Sequence, residues 1–227
     1  MAVYQLEKDN IYFPDPSNAR ADGLLAVGGD LSVKRLLLAY TNGIFPWFNP
    51  EDPILWWCPY ERFVIKPKDI HISHSMKKYF RKHEVKIVFN RDFQDTMHRC
   101  RLKREFKEGT WITDQMEQAY YELYKAGYAA SVEAYVDEQL AGGLYGVVIG
   151  RNFFGESMFS EMENGSKVAL IGLAMRLEEE NFGMIDCQFQ TMHLESMGGE
   201  FISYADYMDI LRQGLQNPPV NKSESNQ

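Results

Sequence analysis

Two short stretches of this 227-residue sequence hold side chains whose types and spacing could do chemistry. The first is Phe153-Phe154-Gly155-Glu156-Ser157-Met158-Phe159-Ser160, a strand-like alternation around one glycine. Its carboxylate, Glu156, sits among aromatic, thioether and small side chains. Burying a lone charge is costly, so such a group is either paired or awaits a cationic ligand. The second is Ile185-Asp186-Cys187-Gln188. On a regular strand Asp186 and Gln188 share one face, and Ile185 and Cys187 share the other. Cys187 has no neighbouring base in sequence, and the alternation turns it away from the acid–amide pair, which disfavours an acyl-cysteine route. Taken alone, both stretches also fit ordinary strands with satisfied polar groups.

The elements that must position these groups follow from capping and periodicity. Residues 1–61 are rich in Pro, Gly and aromatics. They hold a short strand near Leu24, then a helix from Leu31 to Tyr40 with Ser32 as N-cap and Asn42-Gly43 as stop. Beyond Arg62 come a strand (Phe63 to Ile65), a basic helix (Ser73 to His83), a strand (Val85 to Phe89) and a second charged helix. A further helix, capped by Thr113, ends at Gly127. Three strands then form a meander: Ala130 to Val136, Leu140 to Ile149 and Phe153 to Phe159. After it come a helix (Lys167 to Glu180), a strand (Met184 to Phe189), a short helix (His193 to Met197), a strand (Glu200 to Ile202) and a helix (Tyr204 to Leu211). Residues 217–227 are polar and read as a disordered tail. The order resembles the GNAT class of acyltransferases, whose central sheet splays open to admit an acyl donor. The turn Met162-Glu163-Asn164-Gly165-Ser166-Lys167 lacks that class's CoA-binding pattern and carries acid, so the donor expected here is not CoA.

The composition, with 45% hydrophobic, 14% aromatic and 25% charged residues, is that of a globular protein with a substantial core. No apolar run approaches the roughly 20 residues of a membrane-spanning helix, and no secretory leader is visible. Cys58, Cys100 and Cys187 form neither a disulfide framework nor a zinc pattern, which fits a reducing cytoplasm. Net charge is −8. Its distribution is uneven: residues 62–107 carry 14 Lys and Arg against five Asp and Glu, while the rest of the chain is strongly acidic. A basic stretch on an acidic body reads either as solvated helix surface or as a footprint for a polyanion.

Several blocks together are far more specific. They are Gly23-Leu24-Leu25-Ala26-Val27-Gly28-Gly29-Asp30-Leu31, Gly43-Ile44-Phe45-Pro46-Trp47-Phe48, Ile54-Leu55-Trp56-Trp57-Cys58-Pro59, Glu108-Gly109-Thr110-Trp111-Ile112-Thr113 and Gly142-Gly143-Leu144-Tyr145-Gly146-Val147, with the two stretches above. They resemble the bacterial leucyl/phenylalanyl-tRNA–protein transferases, from about residue 4 to about residue 215. The resemblance implies an α+β protein with a small N-terminal domain, residues 1–61, and a GNAT-like catalytic domain, residues 62–216, built on a mixed, mostly antiparallel sheet. It implies transfer of Leu or Phe, and less well Met, from aminoacyl-tRNA to an N-terminal Arg or Lys of a protein, which marks that protein for N-end rule degradation. The expected partners are Leu-tRNA, Phe-tRNA and such proteins. No metal, ATP, CoA or other cofactor is expected, because the tRNA ester is already activated. A cytoplasmic monomer without membrane contact is expected.

The same resemblance carries roles onto particular residues. Leu144, Phe153, Gly155, Met158, Leu170 and Ile185 match the pocket for the aminoacyl side chain, where a deformable Met lets one pocket hold Leu and Phe. Leu144 stands where relatives often have Met. Trp47 and Trp111 match tryptophans beside the terminal adenosine, while Trp56 and Trp57 are expected to seal the interface between the domains. Lys77, Lys78, Arg81 and Lys82 match the helix that meets tRNA phosphates, with His74 at a position often occupied by Arg. Glu156 matches the carboxylate facing the acceptor's Arg or Lys side chain. Asp186 and Gln188 match the catalytic pair: Gln188 positions the amine and the ester carbonyl, and Asp186 orients Gln188 and stabilises charge developing on nitrogen. The final proton acceptor stays open between water, Asp186 and the leaving ribose hydroxyl. Two rivals are a CoA-dependent N-acetyltransferase and a non-catalytic RNA-binding adaptor; the second would have no use for Glu156, Asp186 and Gln188.

Overall fold

The structure is a computed structural model and describes residues 3–105 and 111–216. The tail at 217–227 and the stretch from Glu108 to Thr110 of the tryptophan-containing block lie outside the described residues.

The chain opens with β1 (Tyr4–Leu6) and β2 (Leu24–Gly28), paired parallel. Helix α1 (Val33–Thr41) follows, and the Ser32 hydroxyl accepts from Arg35 N at 3.4 Å, as the capping pattern requires. It stops at Asn42 and Gly43. Gly43 has φ of +72°, and a Cβ there would lie 2.7 Å from the Tyr207 ring, so only glycine fits. Strands β3 (Phe45–Pro46) and β4 (Leu55–Trp57) complete a four-stranded sheet of order β1-β2-β4-β3. Trp56 is buried, donating Nε1–H to Gly28 O at 2.9 Å and meeting Phe13 edge-on. It therefore fills the core beside this small sheet.

The second sheet starts at β5 (Glu61–Ile65). Next come α2 (His74–Lys82), β6 (Val85–Phe89), α3 (Phe93–Glu105) and α4 (Asp114–Lys125). The meander is β7 (Ala129–Val136), β8 (Gln139–Ile149) and β9 (Asn152–Ser160). Helix α5 (Gly165–Glu179) crosses from β9 to β10 (Met184–Gln188), and α6 (Met192–Ser196), β11 (Glu200–Ser203) and α7 (Tyr204–Gln216) finish the described chain. Strand order is β11-β5-β10-β9-β8-β7-β6, antiparallel throughout except that β9 and β10 run parallel. A parallel pair needs a long crossover, and α5 supplies it. This is the mixed, mostly antiparallel arrangement expected of a GNAT-like domain.

Helix α5 is buried over most of its length, and its first residue presses on β8. A Cβ on Gly165 would fall 1.8 Å from Ala141 O, so the helix can start there only with glycine. One core lies between the sheet and α5, with Met76 of α2 at its edge; the other lies on the opposite face, against α1, α3, α4 and α7. Helix α7 runs five residues beyond the expected Leu211. One of its last four carbonyls finds a distant partner, Arg151 N donating to Gly214 O at 2.9 Å, and Asn152 Nδ2 donates to Leu211 O at 3.0 Å just before them. Such long-range satisfaction of helix-end carbonyls has no signature in the local sequence.

Candidate active site

Two bulges build the site. Between β8 and β9, Tyr145 faces Ser157 and Gly146 faces Gly155, which leaves Glu156 as the extra residue. Between β5 and β10, Asp186 faces Val64 and Gln188 faces Phe63, which leaves Cys187 as the extra residue. A bulge re-aims the side chains beside it. The parallel ladder of β9 and β10 ends where Phe154 meets Asp186. At that end, with both bulges on its wall, lies a cavity of about 300 Å³.

The cavity gathers most of the residues singled out from sequence. Leu144, Phe153, Gly155, Met158, Leu170 and Ile185 line it, as do Trp47, Trp111, Glu156 and Gln188. Sequence reasoning missed Phe45, Leu173, Phe189, Thr191, His193 and Leu194, which also line it. Phe189 packs on Trp47 with ring centroids 5.4 Å apart and on Phe45 at the same separation. Trp57 braces this aromatic wall by donating to Trp47 O at 2.6 Å. Burial and the neighbouring Lys167 ammonium both hold the His193 imidazole below its usual range, so it is neutral.

Glu156 is clamped by phenols. Tyr40 of α1 donates to its Oε1 at 2.7 Å, Tyr120 of α4 donates to its Oε2 at 3.1 Å, and the two hydroxyls lie 2.5 Å apart. No ion pair among the described residues includes Glu156. Burial pushes its carboxyl up to about 7 despite the two phenols, which pull the other way. The sequence offered two fates for this carboxylate, paired or awaiting a cation. It is hydrogen-bonded but unpaired in charge, and it faces the cavity.

The acid–amide pair is arranged differently from the expectation. Asp186 does not line the cavity, and Cys187 does. Strict alternation fails because the bulge at Cys187 inserts one residue and Gln188 adopts φ of +58°. Asp186 is fully buried on the opposite face of the sheet. Its Oδ1 accepts from Arg62 Nε at 2.9 Å and from Gln188 N at 2.9 Å; its Oδ2 accepts from Tyr207 OH at 2.8 Å. Asp186 thus reaches Gln188 through the backbone and not through the carboxamide. The Gln188 carboxamide nitrogen donates to Gly155 O at 2.8 Å and Cys187 O at 3.0 Å, in the orientation that satisfies it. This bridges the two strands where their ladder stops and turns the carboxamide oxygen toward Glu156. Burial, reinforced by Asp186, pushes the Cys187 thiol far above its usual range, so no thiolate is at hand.

The basic segment also divides. Arg62 is buried against Asp186, Lys66 pairs with Glu200 at 2.6 Å, and Arg99 and Lys103 pair with Glu161 at 3.1 and 2.7 Å. Arg101 pairs with Glu117 at 2.8 Å. By contrast, Lys77, Lys78, Arg81 and Lys82 of α2 are exposed and enter no ion pair among the described residues. Their helix is joined to the cavity wall: His71 N, just before α2, donates to Met197 O at 2.9 Å, just after the cavity-lining α6.

Known proteins share this sequence over most of its length. Residues 64–212 match the family described as leucyl/phenylalanyl-tRNA protein transferase, and residues 29–59 match the N-terminal domain of that family. A leucyl/phenylalanyl-tRNA–protein transferase of Desulfatibacillum aliphaticivorans is 50% identical over 97% of this chain and 94% of its own length. The protein of the same name from Flavobacterium johnsoniae is 48% identical over 92% of this chain and 99% of its own. The chain belongs to the leucyl/phenylalanyl-tRNA–protein transferase family and is an aminoacyltransferase.

Proposed function

We propose that the cavity takes the Leu or Phe side chain of an aminoacyl-tRNA, and Met less well, and that the ester is attacked directly by the α-amine of an N-terminal Arg or Lys. The observation that carries this is one cavity of about 300 Å³, apolar along Leu144, Phe153, Met158, Leu170 and Ile185, with Glu156 and Gln188 on its wall and Trp47 and Trp111 beside them. Apolar walls suit the donor side chain. The tryptophans offer the terminal adenine a stacking surface of roughly 1–3 kcal/mol. The carboxylate suits the acceptor's cation and selects against neutral N-terminal side chains. The fold unit of residues 62–216 carries the chemistry, with the unit of residues 1–61 contributing Tyr40, Phe45 and Trp47. The enzyme acts as a cytoplasmic monomer.

In the transfer step the amine nitrogen bonds to the ester carbonyl carbon, the bond from that carbon to the ribose oxygen breaks, and the nitrogen loses one proton while the ribose oxygen gains one. Gln188 is no base. Its carboxamide oxygen accepts from the amine and holds it over the carbonyl, and positioning of this kind supplies much of the barrier reduction for an activated ester. Asp186 is a positioning residue that fixes the Gln188 backbone. Transfer of labelled Leu from Leu-tRNA to an Arg-starting peptide, with and without acetyl-CoA, tests the reading. Dependence on acetyl-CoA, or tRNA binding without transfer, overturns it.

Cys187→Ala keeps the single-turnover rate within about twofold, because the thiol touches the cavity as a small apolar group; a dead variant would replace direct attack with a covalent route. Replacing Lys77, Lys78, Arg81 and Lys82 together by Ala weakens binding of aminoacyl-tRNA. It also lowers the salt slope by about 0.7–0.9 for each phosphate left without its cation. An aminoacylated adenosine, which has no such phosphates, keeps its rate. Equal losses with both donors would show that α2 is a structural helix.

A further inference from the structure

We infer that Arg62 and Tyr207 are positioning residues of the transfer step, acting through Asp186 on the backbone of Gln188; the inference rests on the role proposed above for Gln188. Four separate segments meet at the Arg62 guanidinium. From β5 its Nε spans both oxygens of Asp186 at 2.9 and 3.1 Å, and its Nη2 donates to Gly43 O at 2.8 Å and to Tyr207 OH at 3.1 Å. Its charged plane is packed between the rings of Phe45 and Tyr207, each centroid 4.6 Å away. Arg62, Asp186 and Tyr207 are all within 1% of complete burial.

The geometry shows what this arrangement does to the cavity on the far side of β10. A non-glycine residue at φ of +58° is held there only when its surroundings over-determine it. Asp186 Oδ1 accepts the Gln188 N–H and so fixes that backbone. The carboxylate is itself fixed from two further sides, by the Arg62 Nε–H that its oxygens share and by the Tyr207 hydroxyl. Lys could not replace Arg62, because one ammonium nitrogen cannot stand both where Nε meets Asp186 and where Nη2 meets Gly43 O and Tyr207 OH. The same guanidinium braces Phe45, whose ring meets Phe189, the residue after Gln188. Arg62 therefore holds the end of β10 from below and from the side, without touching a substrate.

The test is a cycle of single-turnover rates at saturating Leu-tRNA and Arg-starting peptide, using Tyr207→Phe, Gln188→Ala and the double variant. Tyr207→Phe keeps the ring that packs on Arg62 and removes one donor to a charged group. It is expected to slow transfer roughly tenfold, with donor Kd and acceptor KM within about twofold of the parent. In the Gln188→Ala background the same change is expected to have no further effect, because the carboxamide it positions is gone. A loss of equal size in both backgrounds, or a silent Tyr207→Phe in an enzyme whose Gln188→Ala is slow, overturns the inference alone. A Gln188→Ala of full rate overturns the reading beneath it as well. Arg62→Lys is expected to slow transfer more than Tyr207→Phe, and a Lys variant of full rate overturns the inference.

Discussion

Asp186→Asn is expected to lose stability and rate together, whereas Gln188→Ala loses rate alone. The Asp186 carboxylate is the counter-ion of Arg62 in a region closed to solvent. Removing one member of such a pair leaves an uncompensated buried charge and costs about 3–5 kcal/mol. Asn also offers one acceptor oxygen where three groups, Arg62, Gln188 N and Tyr207 OH, now share two. The Gln188 backbone then loses its anchor, and misplacement of a positioning group by about 1 Å can cost on the order of 100-fold in rate. Urea unfolding and single-turnover transfer measure the two effects separately. The double variant is expected to be no slower than the worse single variant, as for residues that act as one unit. Gln188→Glu does not rescue, since its carboxylate would stand about 3.4 Å from Glu156 and like charges there disfavour each other. An Asp186→Asn protein of parental stability and slow rate would mean that Asp186 acts on the reaction directly and not as a strut.

Local structure was legible in the sequence where the determinants are local. Ser32 and Thr113 cap the helices they were expected to cap, and each side chain accepts from the backbone three residues on; Ser73, expected as the first residue of its helix, caps it in the same way. The meander and the helical crossover follow from alternation and turn residues. The cavity residues were found through long motifs and not through periodicity, since an apolar position on a strand does not declare whether it faces a core or a cavity. Three features were hidden. The bulge at Cys187 carries no glycine, so alternation held for Ile185, Asp186 and Cys187 but put Gln188 on the wrong face, since it joins Ile185 and Cys187 on the cavity side. Arg62 counted toward a basic surface because charge runs do not reveal burial, and only its pairing with a residue 124 positions away shows its place. Tyr40 and Tyr120 are 80 residues apart and meet only because α1 and α4 pack on one face of the sheet. Each is a tertiary override of a local pattern, and each lies at the site, where local consistency is most often given up.

Glu156→Gln is expected to raise KM for an Arg-starting peptide by roughly 30-fold or more, since truncating one side of a partly buried charge pair costs about 2–5 kcal/mol. Gln keeps the shape and leaves acceptor oxygen for Tyr40 or Tyr120, so donor binding changes little. Charge is the property removed, and pH reports it. Burial holds the carboxyl protonated up to about 7. An arginine-like peptide lacking the α-amine isolates this group from the amine's own titration near 7.7–8.0. Its binding strengthens as pH rises through about 7 in the parent and is flat in Glu156→Gln. Stability runs the other way. The unfolded carboxyl ionises at its ordinary value of 4.5, the folded one holds its proton to about 7, and between the two the folded state binds more protons. Stability therefore falls as pH rises through that window, and Glu156→Gln removes the fall. Affinity and stability have opposite slopes because one carboxylate must be desolvated to wait for its cation. A peptide affinity that stays flat across pH 7 in the parent would place the acceptor's cation elsewhere on the cavity wall.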